Sequence, residues 1–165
     1  DAGAYDLTQL LPPSAPVRRD DELWFYYTGL KYRTSSHYVG TYPDGKIVPI
    51  PGLDRDQGAI CLALLRRDGF VSLDAGEQFG MFTTQPFEMS GTMLFVNLDA
   101  PKGMLTVEAL DSGGSVVATS ADLNGDLPQS KVVWTQDSLA DLRGRLVHLR
   151  FTLRNGSFYS YWIEE

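Results

Sequence analysis

The sequence is poor in the residue types from which most metal centres and nucleophilic sites are built. Its 165 residues include one cysteine, Cys61, and two histidines, His37 and His148. A single cysteine excludes an internal disulfide, and a zinc site would need carboxylates to complete its usual Cys and His ligands. Cys61 lies in an apolar run, which indicates a buried small side chain rather than a nucleophile.

Long apolar runs and positive charge are also scarce. No stretch approaches the about 18 uninterrupted apolar residues of a membrane span, so we predict no membrane partner. The net charge is −7, and phosphate backbones bind clustered lysine and arginine, so no nucleic-acid partner is expected. The chain starts with neither methionine nor a signal-like segment. We therefore expect that a leader has been removed or that the chain begins partway through a larger protein.

What the sequence does contain is a succession of short strands separated by glycine-rich turns. Val147, Leu149, Phe151 and Leu153 alternate with polar residues, the period of a half-buried strand. Such strands predict an all-β fold, a β-sandwich or jelly roll with antiparallel strands. The nearly continuous apolar run at 59–65 predicts a strand covered on both faces. Asp68-Gly69 predicts a hairpin turn that returns through residues 70–73 as the partner strand.

The first third of the chain differs from this pattern. Residues 30–57 form a predicted long loop rich in Tyr, Ser, Gly, Pro and Asp, and loops of that length are usually functional or packed against a neighbour. Aromatic faces combined with polar side chains are typical of sugar-binding clefts. The carbohydrate-binding candidates are Tyr32, His37, Tyr38, Tyr42 and Asp44. The alternative is that the tyrosines fill a seam against a neighbouring domain.

No motif indicates catalysis. A carboxylate hydrolase needs two acids flanking the bond that is cleaved, whereas most aspartates here stand in turns, where they cap backbone amides. There is no Gly-x-Ser-x-Gly elbow and no phosphate-binding glycine loop. We predict no cofactor, and the alternative is calcium, which prefers oxygen ligands. Its incomplete candidate set is Asp122, Asn124 and Asp126.

The stretch GAICLALLRRDGFVSLDAG, residues 58–76, resembles a sequence that recurs in bacterial proteins of the glycoside hydrolase family 32 and 43 type. These proteins combine a five-bladed β-propeller with a β-sandwich. Further similar stretches are LFVNLD at 94–99, GMLTVEALD at 103–111 and LRGRLVHLRF at 142–151. Upstream, DELWFYYTG at 21–29 resembles a closing propeller blade. The resemblance implies a partial propeller-blade segment at 1–65, including the loop 30–57, followed by a C-terminal β-sandwich at 66–165.

In that family the catalytic acids lie on earlier blades, so the resemblance implies no catalytic residue in this chain. It implies a non-catalytic accessory region of a secreted or periplasmic protein. This region would not be an enzyme by itself, although its parent would be a glycoside hydrolase. The partners would be carbohydrate and a missing N-terminal propeller domain. Arg66 and Arg67 would then be partners for nearby carboxylates at a structural turn.

Three other functions remain open. One is a stand-alone carbohydrate-binding module, and another is a structural or oligomerisation domain. The third is a self-sufficient hydrolase or lyase, which requires a carboxylate pair about 5–10 Å apart in a cleft.

Overall fold

The structure is a computed structural model that describes residues 4–6, 8–13, 15–31, 58–136 and 139–165. The chain divides into two compact units, Asp1–Leu65 and Arg66–Glu165. Each unit is built of β-strands, and each has its own sheet.

In the described residues of the first unit, four strands form a sheet centred on a long aromatic strand. The strands are β1 (Gln9–Leu11), β2 (Val17–Arg19), β3 (Glu22–Leu30) and β4 (Gly58–Arg66). β1 and β2 pair antiparallel with opposite ends of β3, and β4 also pairs with β3. Aromatic residues favour the extended conformation, which explains why Leu23 to Tyr27 forms the central strand.

Where the structure describes it, the second unit contains nine strands and one short 3-10 turn, Leu139–Leu142. The strands are β5 (Leu73–Ala75), β6 (Gly80–Thr83), β7 (Phe87–Glu88), β8 (Met93–Asp111), β9 (Val116–Ser120), β10 (Leu123–Lys131), β11 (Trp134–Gln136), β12 (Leu146–Arg154) and β13 (Gly156–Glu164). All of their pairings are antiparallel.

The 19-residue strand β8 belongs to both layers of this unit. Its first part pairs with β13 and β10, and its last part pairs with β12 and β9. β5 extends the first layer beside β13, whereas β6, β7 and β11 extend the second. This arrangement confirms the predicted all-β sandwich of antiparallel strands.

Gly103 lies where β8 passes close to the connection between β12 and β13. A Cβ atom built on Gly103 would stand 2.0 Å from the carbonyl oxygen of Arg154 and 2.2 Å from that of Asn155. The close backbone approach therefore requires a residue without a side chain.

The hydrophobic core of the second unit lies between its layers. Val147, Leu149, Phe151 and Leu153 are all buried, as their alternation predicts. The ring of Phe151 stacks on Phe82 at 4.8 Å between centroids. Each fully buried side chain of this size contributes about 1.5–3 kcal/mol relative to exposure, so this strand is a main source of stability.

Two predictions about residues 59–73 are wrong. The turn after Arg66 forms, with Asp68 at φ 55° and the Gly69 amide bonded to the Arg66 carbonyl at 2.9 Å. However, β4 pairs with β3 while β5 pairs with β13, so the turn does not join two partner strands. Nor is β4 covered on both faces, since Ile60 is 80% exposed and Cys61 is half-buried. An apolar run specifies neither its pairing partner nor what covers it.

Candidate functional site

The predicted carbohydrate cleft lies outside the described residues. Tyr32, His37, Tyr38, Tyr42 and Asp44 all belong to the range 32–57, so their grouping stays a prediction. The remaining histidine, His148, has a structural contact: its Nδ1 lies 3.0 Å from the carbonyl oxygen of Thr84.

Arg66 is the centre of a polar cluster on the face of β8 opposite the core. Its Nε donates to Oδ1 of Asn97, its Nη2 donates to the Leu98 carbonyl at 2.9 Å, and its Nη1 donates to the Asp126 carboxylate. Asn97 in turn donates from Nδ2 to the carbonyl of Arg67 at 2.6 Å. Asn97 is only 1% exposed, yet both ends of its amide are paired, as a buried polar group requires.

Aromatic rings extend this cluster along β13. The Arg66 guanidinium lies 4.9 Å from the ring centroid of Tyr159, and that of Arg67 lies 5.8 Å from Trp162. Trp162 stacks on Phe95 at 5.4 Å with an angle of 9° between the ring planes. Trp162 therefore packs with both Phe95 and Arg67, and the cluster anchors residues 66–67 to the sandwich.

Two further acidic side chains, those of Asp111 and Glu108, also have structural partners. Asp111 Oδ1 accepts hydrogen bonds from the amides of Gly113 and Ser115, both at 2.9 Å. Glu108 accepts from Arg150 at 2.6 Å, and this hydrogen bond raises the pKa of Arg150. The contacts of Asp111 match the predicted role of aspartates in turns, whereas Glu108 pairs across two neighbouring strands.

Asp74 on β5 is a further acid held by hydrogen bonds. Hydrogen bonds from Ser157 and then Ser72 lower the pKa of Asp74, because donors stabilise the ionised carboxylate. The bond from Ser72 Oγ is 2.8 Å long. This carboxylate therefore fixes the edge strand against β13.

A shallow cavity of about 240 Å³ lies beside β10. The strand is irregular there, with register shifts between Leu123 and Gly125 and between Leu127 and Ser130. Gly125 has φ +102°, a conformation that glycine adopts without strain. Bulges of this kind change the direction in which side chains point. The polar side chains that line the cavity are those of Asp122, Asn124, Ser130 and Lys131.

The three calcium candidates are not brought together as a set of ligands. Asp122 and Asn124 line the cavity, whereas Asp126 forms the ion pair with Arg66. Lys131 lines the same cavity, and its ammonium group opposes a bound cation. Within the described ranges, no cluster of three or more His, Cys, Asp or Glu side chains is placed to hold a metal ion.

A second cavity, of about 210 Å³, lies between the edge strands β5 and β6 and is mainly apolar. Leu73 and Met81 at its mouth are 52% and 65% exposed. The apolar lining offers few groups with which to orient a polar ligand.

In the first unit, Tyr27 and Asp6 form a hydrogen-bonded pair. The Tyr27 hydroxyl donates to Asp6 Oδ2 at 2.9 Å, which is the main reason that the pKa of Tyr27 is raised to about 12. The carboxylate favours the protonated phenol as its donor and opposes a second negative charge.

Sequence reasoning did not single out Asn97 or the β10 cavity. A signal for Asn97 exists: it is a polar residue inside the apolar run Leu94 to Leu98. The cavity also has a signal, because Gly125 and Pro128 stand at the two register shifts of β10, and glycine or proline inside a strand often marks a bulge.

The fold and these contacts define an antiparallel β-sandwich. The polar cluster around Arg66 reaches β10 through Asp126, and a shallow surface cavity also lies beside β10. Comparison of the chain with known protein families, curated proteins and solved structures gave no match. In the described part of the chain, no helix has the length and apolar character needed to cross a membrane. The likeness to glycoside hydrolases therefore rests on the sequence stretches alone.

Proposed function

We propose that this chain is a non-catalytic accessory region of a larger glycoside-hydrolase-like protein. Its sandwich supports carbohydrate binding or processing at a site formed mainly elsewhere. A secreted or periplasmic location belongs to this proposal, because a protein that acts on extracellular polysaccharide must leave the cytoplasm.

The observation that carries the proposal is the open apolar surface of the first unit. Ile60, Leu62 and Leu64 alternate along β4 and are 80%, 39% and 55% exposed, so they lie on one face of the strand. Among the described residues of this unit, only Gly29 is classed as buried. A sheet is stable when a second layer covers its apolar face, and a further part of the same protein would supply that layer.

The second unit supports the proposal in a different way. Every buried apolar side chain among the described residues lies between Met89 and Phe158. The sandwich therefore has the core of an independent domain, while Glu108, Asp111 and Asp126 are engaged in structural contacts. Such a domain is suited to an accessory role.

The size of the native polypeptide tests the proposal directly. Antibodies raised against residues 66–165 should detect, in the source cells or their medium, a polypeptide much longer than 165 residues. A native polypeptide of only this length, or polysaccharide turnover by the 165-residue chain alone, would contradict the accessory role.

Hydrogen exchange measured by mass spectrometry gives a second test on the chain itself. We expect strong protection in β8 and β12 and weak protection in β3 and β4, because only the former pair lies in a closed core. Equal protection would show that the first sheet needs no further layer.

A stand-alone carbohydrate-binding module is the second candidate, and the polar cavity beside β10 favours it. Affinity electrophoresis in gels containing plant or microbial polysaccharides distinguishes the two functions. A module by itself should be retarded by a polysaccharide, and loss of retardation in Tyr38→Ala or Tyr42→Ala would assign binding to the predicted loop.

A further inference from the structure

We infer that the cavity beside β10 is a subsite for one neutral sugar residue. The inference rests on the proposed carbohydrate role and deepens it, because it names a site and a ligand class. The argument uses the shape of the cavity, the chemistry of its lining and the balance of its charges.

The walls of the cavity are fixed by the backbone. The amide of Ala121 donates to the carbonyl of Val133 at 2.7 Å, which ties the two connections at either end of β10 together. The amide of Val132, beside Val133, donates to the Leu94 carbonyl of β8 at 2.8 Å. A site held in this way is largely formed before a ligand arrives, and this reduces the entropy cost of binding.

The polar lining can both donate and accept hydrogen bonds. Asp122 is oriented by a 2.9 Å hydrogen bond from Thr106, and its carboxylate keeps further acceptor positions. In the part of the chain that the structure describes, no hydrogen bond or ion pair engages the side chains of Asn124, Ser130 or Lys131. An amide, a hydroxyl and an ammonium group are thus left for a ligand whose groups also donate and accept.

The charges and the apolar lining narrow the ligand class. The negative charge of the Asp122 carboxylate and the positive charge of the Lys131 ammonium cancel formally. The carboxylate would repel an anion, and the ammonium would repel a cation. Val133 is 64% exposed at the cavity, where it can pack on the C–H face of a sugar ring. The volume of about 240 Å³ lies below the roughly 300–1,000 Å³ of pockets for drug-sized ligands, which suits a single ring.

A titration followed by nuclear magnetic resonance tests this inference on the full 165-residue chain. The probes are methyl glycosides of neutral pentoses and hexoses, with inorganic phosphate and calcium chloride as charged probes. We expect saturable shifts from a neutral glycoside, confined mainly to the amides of residues 121–133 and the side-chain amide of Asn124.

Variants with a matched control show whether the lining binds the sugar. Lys131→Met and Asn124→Ala should each weaken binding about tenfold, because each removes a hydrogen bond to a sugar hydroxyl. Lys102→Met makes the same chemical change at another exposed lysine and should leave binding unchanged. All three positions are exposed, and an unchanged spectrum away from the substitution confirms that each variant is folded.

Several results would overturn the subsite. They are no saturable shift with any neutral glycoside, preferential binding of phosphate or calcium, or glycoside binding unaffected by both Lys131→Met and Asn124→Ala. Failure of the subsite is distinguishable from failure of the accessory role. Binding at β10 in a native polypeptide of only 165 residues would support the subsite and refute the accessory role. A much longer native polypeptide without binding at β10 would support the accessory role and refute the subsite.

Discussion

Replacing Arg66 by methionine should destabilise the sandwich more than is usual for a residue that lies partly at the surface. The substitution keeps much of the side-chain volume but removes the donors to Asn97 and Leu98. Asn97 is 1% exposed, so water cannot reach the abandoned amide oxygen, and an unpaired buried acceptor costs about 1–3 kcal/mol. The Asp126 side chain is 67% exposed, so its lost ion pair adds only about 0–1 kcal/mol.

The expected total loss for Arg66→Met is therefore about 1–4 kcal/mol of unfolding free energy. This is a large part of the about 5–15 kcal/mol that holds a typical domain together. Urea unfolding followed by tryptophan fluorescence measures the loss. The matched control is Arg67→Met, because the Arg67 side chain has only weak partners. Its Nε lies 3.6 Å from the carboxylate of the half-exposed Asp68, and its guanidinium lies 5.8 Å from the centroid of the Trp162 ring. The control should lose less than about 1 kcal/mol.

A double-mutant cycle with Asn97→Leu separates the hydrogen bond from packing. Each single variant strands a buried polar group on the other residue, whereas the double variant removes the donor and the acceptor together. The double variant should therefore cost about 1–3 kcal/mol less than the sum of the single variants. Additive losses, or equal stability of Arg66→Met and Arg67→Met, would refute the view that this contact anchors the sandwich.

Three further outcomes are expected. Gly103→Ala should destabilise the second unit or prevent its folding, because its Cβ would collide with backbone, whereas Gly76→Ala, with nothing within 4 Å, should change thermal stability by less than about 1 kcal/mol. Phe151→Ala should cost about 3–5 kcal/mol in urea unfolding because it empties the centre of the core. Spectrophotometric titration should show Tyr27 ionising near pH 12, with Asp6→Asn lowering this pKa towards its usual 10.0. Because the folded pKa is raised, the stabilisation from the Tyr27 pair is present below pH 10 and lost as pH rises towards 12.

Those parts of the fold that depend on local periodicity could be predicted from the sequence. The alternation from Val147 to Leu153 defines one apolar face, and that face is buried in the structure. The turn at Asp68-Gly69 was also readable, because these residues tolerate the backbone that a tight turn needs. Both signals concern neighbouring residues and are independent of the rest of the chain.

The parts that depend on distant partners could not be read in this way. Arg66 and Asn97 are 31 positions apart, and nothing in either local sequence specifies the other. The apolar run of β4 illustrates the same limit, since its composition predicted burial but could not show whether a covering layer exists. The candidate site was missed for a related reason: it lies where β10 has two register shifts, and the sequence indicated Asp122, Asn124 and Asp126 only as oxygen ligands for calcium.

The unequal burial in the two units gives the functional proposal its physical basis. In the second unit, the alternating apolar residues of the paired strands β8 and β12 lie together in one buried core. In the first unit, the same kind of alternation on β4 leaves Ile60 and Leu64 exposed. An exposed apolar sheet face favours aggregation unless something covers it. A covering layer from the same protein removes this liability, whereas a separate sugar-binding module would retain it, and this difference favours the accessory role.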